Sequence, residues 1–118
     1  MPSDLYKIEK QDDVSIMCLT LDAFSYDDND VLMEPFETFL KEGNKKIILD
    51  LVNTKYVSSL ILASLVYMQK RAQDGGGDLI ICNVKERVQE VLRMTNLDKI
   101  FKIVGTREDA LGKFGKKQ

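Results

Sequence analysis

Two short apolar runs on either side of an apolar helical stretch dominate the middle of the chain. Residues 47–51 are apolar except for Asp50, and residues 79–82 are entirely apolar. Runs of this length without polar alternation are typical of strands covered on both faces or buried at the centre of a sheet. Residues 60–68 are almost entirely apolar and residues 69–74 are mostly polar, so this stretch predicts a helix buried along its first half.

The strand, helix and strand in this order predict a right-handed crossover between parallel strands. The helix is expected to begin at Ser58 and Ser59 and to stop at Gly75-Gly76-Gly77. The serine pair therefore follows the carboxyl end of a central strand. Functional sites of α/β domains usually lie at that edge of the sheet.

The first 30 residues predict a hairpin and an acidic loop. Residues 5–10 and 14–21 read as two strands joined by a turn at Gln11-Asp12-Asp13. The apolar alternation of the second strand predicts that it is the inner one of the pair. The aspartate-rich stretch 22–30 then offers several helix caps.

A first helix is predicted by apolar residues at helical spacing, namely Leu32, Phe36, Phe39 and Leu40. It ends at Glu42-Gly43-Asn44, where glycine favours a helix stop. Pro35 lacks a backbone donor and disfavours helical angles at Glu34. The helix is therefore expected either to start near Pro35 or to have an irregular first turn.

Three more elements are predicted after the second apolar strand. Residues 85–95 form an amphipathic helix, and Asn96 is expected to stop it in a left-handed conformation. Residues 100–104 form a short last strand at the edge of the sheet. Residues 106–109 resemble a capping box that opens a final helix. The apolar face of that helix comprises Ala110, Leu111 and Phe114.

The complete order is β-β-α-β-α-β-α-β-α. It predicts the α/β class, with one mixed sheet of four to five strands and about four helices. A chain of 118 residues is expected to form one domain. Its core should comprise residues 4–114, with a frayed tail at 115–118.

Composition and charge exclude several classes of function. A net charge of −2 argues against a nucleic-acid partner, because phosphate contacts need a basic face. No apolar run approaches the roughly 20 residues of a membrane-spanning helix, and the start lacks a secretory pattern, so the cytoplasm is expected. Cys18 and Cys82 fall in predicted strands outside any Cys-x-x-Cys motif, which favours buried, reduced thiols.

The chain contains no histidine. This removes the commonest general base, the commonest metal ligand and every Ser/His or Cys/His nucleophile. No paired carboxylates stand out, so we expect no catalytic residue, no metal and no cofactor. Gly75-Gly76-Gly77 follows a helix and precedes a strand, the reverse of the order in phosphate-binding loops, and favours a simple turn.

Four segments in succession carry a resemblance to a known family. They are a hydrophobic strand ending in Asp-Leu (47–51), a helix entry (56–59), a second strand (77–83) and a helix with a Leu-x-x-Ile-Phe ending (88–101). Together they resemble the STAS domain, and within it the small bacterial anti-sigma factor antagonists. The resemblance implies a single STAS domain over nearly the whole chain.

The phosphorylation motif of that family reads Asp-Ser-Ser/Ala-Gly-Leu at the helix entry. Here Ser59 matches the phosphoacceptor, while Ser58 replaces Asp, Leu60 replaces Ser or Ala, and Ile61 replaces Gly. The resemblance therefore implies phosphorylation of Ser59, with Ser58 as the alternative. Helix capping is the structural role expected of the pair. Ile61 would hinder a kinase if it points outward and would add to the core if it points inward.

The same resemblance implies a partner-binding face around the serine pair. The topology should bring the acidic loop beside the helix entry, although a merely solvated loop is the alternative. The expected partner-binding residues are Asp22, Ser25, Asp27, Ser58, Ser59, Leu60 and Asn83.

For function, the resemblance implies a non-catalytic cytoplasmic module that binds a serine-kinase anti-sigma factor. The kinase would phosphorylate the module with ATP, and a phosphatase would reset the serine. The alternative is a STAS interaction subunit of a transporter or a larger signalling assembly that is not phosphorylated. No nucleic-acid partner and no membrane insertion are expected, and the oligomeric state stays open.

Overall fold

A computed structural model describes residues 6–20 and 29–115. In these ranges the chain forms five strands and four α-helices, in the order that the sequence predicts. None of the described helices is both long and apolar enough to cross a lipid bilayer. The elements are β1 (Tyr6–Gln11), β2 (Val14–Leu19), α1 (Asn29–Lys41), β3 (Lys46–Asp50), α2 (Ser59–Asp74), β4 (Asp78–Cys82), α3 (Glu86–Met94), a 3-10 helix (Leu97–Lys99), β5 (Lys102–Val104) and α4 (Arg107–Lys113).

The strands form one mixed sheet in the spatial order β1-β2-β3-β4-β5. β1 pairs with β2 in the antiparallel sense, and the remaining neighbours are parallel. Met17 lies opposite Leu49, and Leu49 lies opposite Ile81, so apolar side chains of three strands share one face. The predicted α/β class, the inner position of β2 and the edge position of β5 are confirmed.

α1, α2 and α3 cover one face of the sheet. Phe36 of α1, Leu65 and Met68 of α2, and Leu92 of α3 are all buried in the same apolar cluster. The strands contribute alternate residues to this cluster, as a period of two requires. These residues are Met17, Leu19, Ile47, Leu49, Leu79 and Ile81.

α4 covers the opposite face. Ala110 and Leu111 are buried there, and Phe114 packs against the same cluster, which confirms the predicted apolar face of the last helix. The sheet supplies the remaining buried residues of this second core: Val14, Ile16, Ile48, Ile80 and Cys82. β3 is therefore buried on both faces, which explains why its sequence shows almost no polar alternation.

The first helix begins earlier than expected. α1 starts at Asn29 and Pro35 lies inside it, so of the two alternatives expected for this helix the start near Pro35 is wrong. A proline here removes one intrahelical donor. Phe36, the next residue, is fully buried, and its packing holds the helix on the sheet despite the lost hydrogen bond.

Two strand boundaries differ from expectation by two residues, and the others by one at most. β2 ends at Leu19, short of the predicted range 14–21. β5 begins at Lys102 instead of residue 100, because a 3-10 helix precedes it and the Phe101 N–H donates to Leu97 O at 3.1 Å. Asn96 has φ 61°, which confirms the left-handed conformation predicted after the third helix.

The connection from α2 to β4 brings two backbone segments into close contact at Gly77. A Cβ atom on this residue would lie 2.7 Å from the Cα and 2.9 Å from the carbonyl carbon of Lys45. The next residue, Asp78, donates its N–H to Lys45 O at 2.7 Å. Only glycine fits here without moving the start of β4 away from β3.

We expect Gly77→Ala to lower the free energy of unfolding by about 1–3 kcal/mol, the usual cost of overpacking. Gly112→Ala is the matched control. No atom lies within 4 Å of a Cβ there, and alanine in helix α4 should stabilise the protein by about 0.4–1 kcal/mol. Urea denaturation of both variants measures the difference, and equal stabilities would contradict the close approach at Gly77.

Candidate functional site

Residues 51–58 connect the carboxyl end of β3 to the start of α2. Thr54 is fully buried and pins this loop in place. Its N–H donates to Leu51 O at 3.0 Å, and its Oγ1 donates to Leu19 O at 2.9 Å. The Leu51 N–H in turn donates to Cys82 O at 3.0 Å. The loop is therefore anchored to the ends of β2, β3 and β4 together.

The two serines at the start of α2 have different roles. Ser58 is the N-cap, and its Oγ accepts the Ile61 N–H at 3.3 Å, which confirms capping by one of the pair. Ser59 is the first residue of the helix, and its side chain is exposed. Within the described residues, the Ser59 hydroxyl has no hydrogen-bond partner. It is thus the hydroxyl that another molecule can reach without breaking a cap.

Ile61 points inward. It is 3% exposed and belongs to the core beneath α2, so it adds packing and leaves the helix entry open. Leu60 is half-buried beside the serines. Of the two orientations considered for Ile61, the structure therefore shows the inward one.

Exposed apolar residues lie in the loop that precedes the serines. Val52 is 42% exposed and Tyr56 is 53% exposed. We refer to these two residues and to Ser58, Ser59 and Leu60, which follow them along the chain, as the docking face. Val52 and Tyr56 were not predicted as site residues, although two large apolar residues in a polar loop are the kind of signal that marks an interaction surface.

Asp50 is buried next to this loop and accepts four hydrogen bonds. It is 2% exposed. Its Oδ1 accepts the Val52 N–H at 3.0 Å and the Asn83 Nδ2 at 3.1 Å. Its Oδ2 accepts Nε and Nη2 of Arg107 at 3.1 and 2.9 Å. This carboxylate was missed as a site residue, although a lone acid in an apolar strand was visible in the sequence.

Arg107 is the first residue of α4. The N-cap of this helix, Thr106, accepts the Asp109 N–H at 3.0 Å, which confirms the predicted cap. Nη1 of Arg107 donates to Glu9 Oε1 at 2.9 Å. Burial lowers the pKa of Arg107, but its hydrogen bonds and charge contacts with Asp50 and Glu9 outweigh burial and raise that pKa. The guanidinium therefore stays charged next to Asp50 at neutral pH.

Asn83 follows β4 in a left-handed conformation, with φ 56°. Its side-chain amide donates to Asp50, and its N–H donates to Gly105 O at 3.3 Å. The side chain is half-buried. The role of Asn83 in partner binding stays a prediction, but its amide already has an internal partner.

Three predicted partner-binding residues, Asp22, Ser25 and Asp27, lie outside the described residues. Their contribution to the docking face stays a prediction. Among the residues that the structure describes, no group of three or more His, Cys, Asp or Glu side chains is arranged to hold a metal ion.

Both cysteines are free thiols on the strands that flank Asp50. Cys82 is buried, as predicted, whereas Cys18 is only partly buried. Burial raises the pKa of Cys82 to about 12, and the negative charge of Asp50 contributes to the same effect. Burial and Asp50 also raise the pKa of Cys18. Neither thiol has the lowered pKa of a reactive cysteine.

We expect Ser58→Ala to lower the free energy of unfolding by about 1 kcal/mol, because the Ile61 N–H loses its capping acceptor. Ser59→Ala is the matched control and should change that free energy by less than about 0.5 kcal/mol, since its hydroxyl caps nothing. Urea denaturation separates the two. A larger loss from Ser59→Ala than from Ser58→Ala would contradict the assignment of the cap.

The Cys82 thiol should make stability fall at high pH. Its pKa is 9.0 when unperturbed and about 12 in the folded protein, so above pH 9 the unfolded chain releases a proton that the folded chain keeps. The free energy of unfolding then decreases as pH rises from about 9 to 12.

The comparison with Cys82→Ala isolates this contribution, because both proteins share every other titrating group. The stability difference between wild type and variant should be constant up to about pH 8 and should shrink above it. Urea denaturation from pH 7 to 11 measures it. A difference that does not change with pH would show that Cys82 titrates alike in both states.

Comparison with known proteins agrees with this architecture. The family model described as the STAS domain matches residues 6–110. A candidate anti-sigma factor antagonist from Thermotoga neapolitana is 38% identical over 76 residues, which are 64% of this chain and 67% of that protein. The crystal structure of a candidate anti-sigma factor antagonist from Thermotoga maritima has a TM-score of 0.85 and 27% identity, with 98% of both chains covered.

A more distant structure shares the fold alone. The phosphorylated form of the Bacillus cell fate determinant SpoIIAA has a TM-score of 0.69 and 14% identity, with 92% of this chain and 98% of that chain covered. The family match spans most of the chain, and the nearer relatives are named as anti-sigma factor antagonists. The chain therefore belongs to the STAS domain family and is related to its anti-sigma factor antagonists.

Proposed function

We propose that this protein is a non-catalytic cytoplasmic anti-sigma factor antagonist that binds a serine-kinase anti-sigma factor through its docking face and is released by phosphorylation of Ser59. The observation that carries the proposal is the exposed Ser59 hydroxyl. It has no hydrogen-bond partner among the described residues and lies at the start of α2, a helix with a buried inner face, close in sequence to exposed Val52 and Tyr56. A hydroxyl in this position is open to a kinase.

The helix start can hold a phosphate. The first N–H groups of α2 lack intrahelical partners, and the helix dipole favours a negative charge there. The first turn of α2 contains no acidic residue that would repel it. Phosphorylation of Ser59 would therefore leave the fold intact.

The same phosphate would weaken binding of a partner. It adds about −1.5 to −2 charges at pH 7, beside apolar side chains that must be dehydrated when a partner binds. A partner that covers Val52 and Tyr56 with apolar or acidic groups would lose affinity. Phosphorylation then acts on the complex and leaves the structure of the antagonist unchanged.

Ser59 is favoured over Ser58 because the Ser58 hydroxyl already accepts the Ile61 N–H. A phosphate on Ser58 would have to replace this cap. Ile61 stands in place of the family glycine, but its side chain points inward. It therefore does not block access of a kinase to Ser59.

Phosphorylation of this fold has a precedent. SpoIIAA, whose fold this chain shares, has solved structures in unphosphorylated and phosphorylated forms. The phosphatase that would reset Ser59 belongs to the same proposal.

A second candidate function is a docking module without the switch, as in a STAS subunit of a transporter or a larger signalling assembly. The replacement of the motif Asp by Ser58 and of the motif Gly by Ile61 favours it. In that case the docking face binds its partner without phosphorylation.

Incubation with the cognate serine-kinase anti-sigma factor and ATP, followed by peptide mass spectrometry, tests the proposal. Phosphate is expected on Ser59. It should persist in Ser58→Ala and disappear in Ser59→Ala. A stable complex in which neither serine is phosphorylated would support the second candidate, and failure to bind any such kinase would exclude the first.

Binding of two charge variants tests the switch itself. Ser59→Glu should weaken the complex about tenfold or more, because it mimics part of the phosphate charge on the docking face. Gln73→Glu adds the same charge to an exposed position at the other end of α2 and should leave affinity nearly unchanged. Calorimetry on both variants measures this, and equal affinities would contradict a charge-driven release.

A further inference from the structure

The carboxylate of Asp50 joins the two faces of the sheet. Cys18, Asp50 and Cys82 are opposite one another on adjacent strands, so their side chains share the face covered by α4. Ser59, in contrast, begins α2, which packs on the other face. Asp50 is nevertheless bonded to the loop that leads to Ser59.

One oxygen of Asp50 holds two connections at once. The Val52 N–H belongs to the β3–α2 loop, and the Asn83 amide belongs to the β4–α3 connection. Both groups donate to Oδ1. Together with the Leu51 N–H bond to Cys82 O, the orientation of this carboxylate therefore sets the relative position of the two connections.

Arg107 sets this orientation. Its Nε and Nη2 both donate to Oδ2, at 3.1 and 2.9 Å, which fixes the plane of the carboxylate as a forked guanidinium contact does. Asp50 is almost fully buried, so removal of the guanidinium leaves a buried charge without its counter-ion. The carboxylate would then turn towards water, and the bonds to Oδ1 would weaken.

We propose that Arg107 is a positioning residue for the docking face. Arg107 orients the Asp50 carboxylate, and this carboxylate holds the β3–α2 loop through Val52 and the β4–α3 connection through Asn83. The packing of α4 on the sheet is thereby coupled to the position of the loop that leads into α2. That this coupling serves partner binding rests on the proposed function, whereas the coupling itself does not depend on it.

Amide hydrogen exchange of the isolated protein tests the coupling. In Arg107→Met, exchange at Val52 should accelerate about tenfold or more relative to Asp78, because the charge-assisted bond from the Val52 N–H to Asp50 has at least that weight in an opening equilibrium. Asp78 is the reference because it lies at the start of β4, at the end of the strand away from Asn83, and its N–H donates to Lys45 O.

Two further variants separate positioning from simple stabilisation. Glu9→Gln perturbs only the Nη1 contact and keeps the fork on Asp50, so exchange in both connections should stay as in wild type. Arg107→Lys keeps the charge but cannot form the fork, and partial recovery of protection is expected.

Asn83→Gly approaches Asp50 from the other side. Glycine accepts the left-handed backbone but lacks the amide, so the Val52 amide should exchange faster although Arg107 is intact. If Arg107→Met does not fold, exchange at Val52 in Asn83→Gly and in Arg107→Lys tests the coupling instead.

Equal acceleration at Val52 and Asp78 would overturn the proposal, because a general loss of stability accelerates exchange at both amides alike. So would an effect of Asn83→Gly confined to its own connection. These measurements use no partner and no kinase. Their failure would leave the phosphorylation of Ser59 untouched, and the absence of phosphorylation would leave the coupling untouched.

Discussion

The burial of β3 between two parallel neighbours and two helical layers is the constraint on which the structure depends. Ile47, Ile48 and Leu49 are fully buried, so the strand cannot shift by one residue without exposing apolar side chains to the wrong layer. This fixes where β3 ends, and with it the loop that follows. The position of Ser59 is thus determined by the packing of other residues, and its own side chain is not needed to hold the helix in place.

Much of the fold could be predicted because its signals are local. Thr106 and Asn96 occupy the cap and the left-handed position that their side chains favour, and the period of apolar residues assigns the strands. The errors have local causes as well. Packing of Phe36 overrides the helix-breaking tendency of Pro35, and a 3-10 turn shortens the last strand.

The candidate site was only partly visible in the sequence. The serine pair could be found because it lies between an apolar strand and a helix whose first half is mostly apolar. The contact between Asp50 and Arg107 could not, because it joins residues 57 apart and exists only once the register of β3 and the packing of α4 are both known. Sequence patterns report periodicity and caps, whereas a forked ion pair across the chain depends on tertiary geometry.

The alternation that puts Cys18 and Cys82 on one face also keeps them apart. A whole strand lies between them, so their Cα atoms are separated by two strand spacings, roughly 9–10 Å. A disulfide bridges at most about 7 Å between Cα atoms. Oxidising conditions therefore cannot crosslink this chain internally without dismantling the sheet, and an internal disulfide contributes nothing to the stability of the fold.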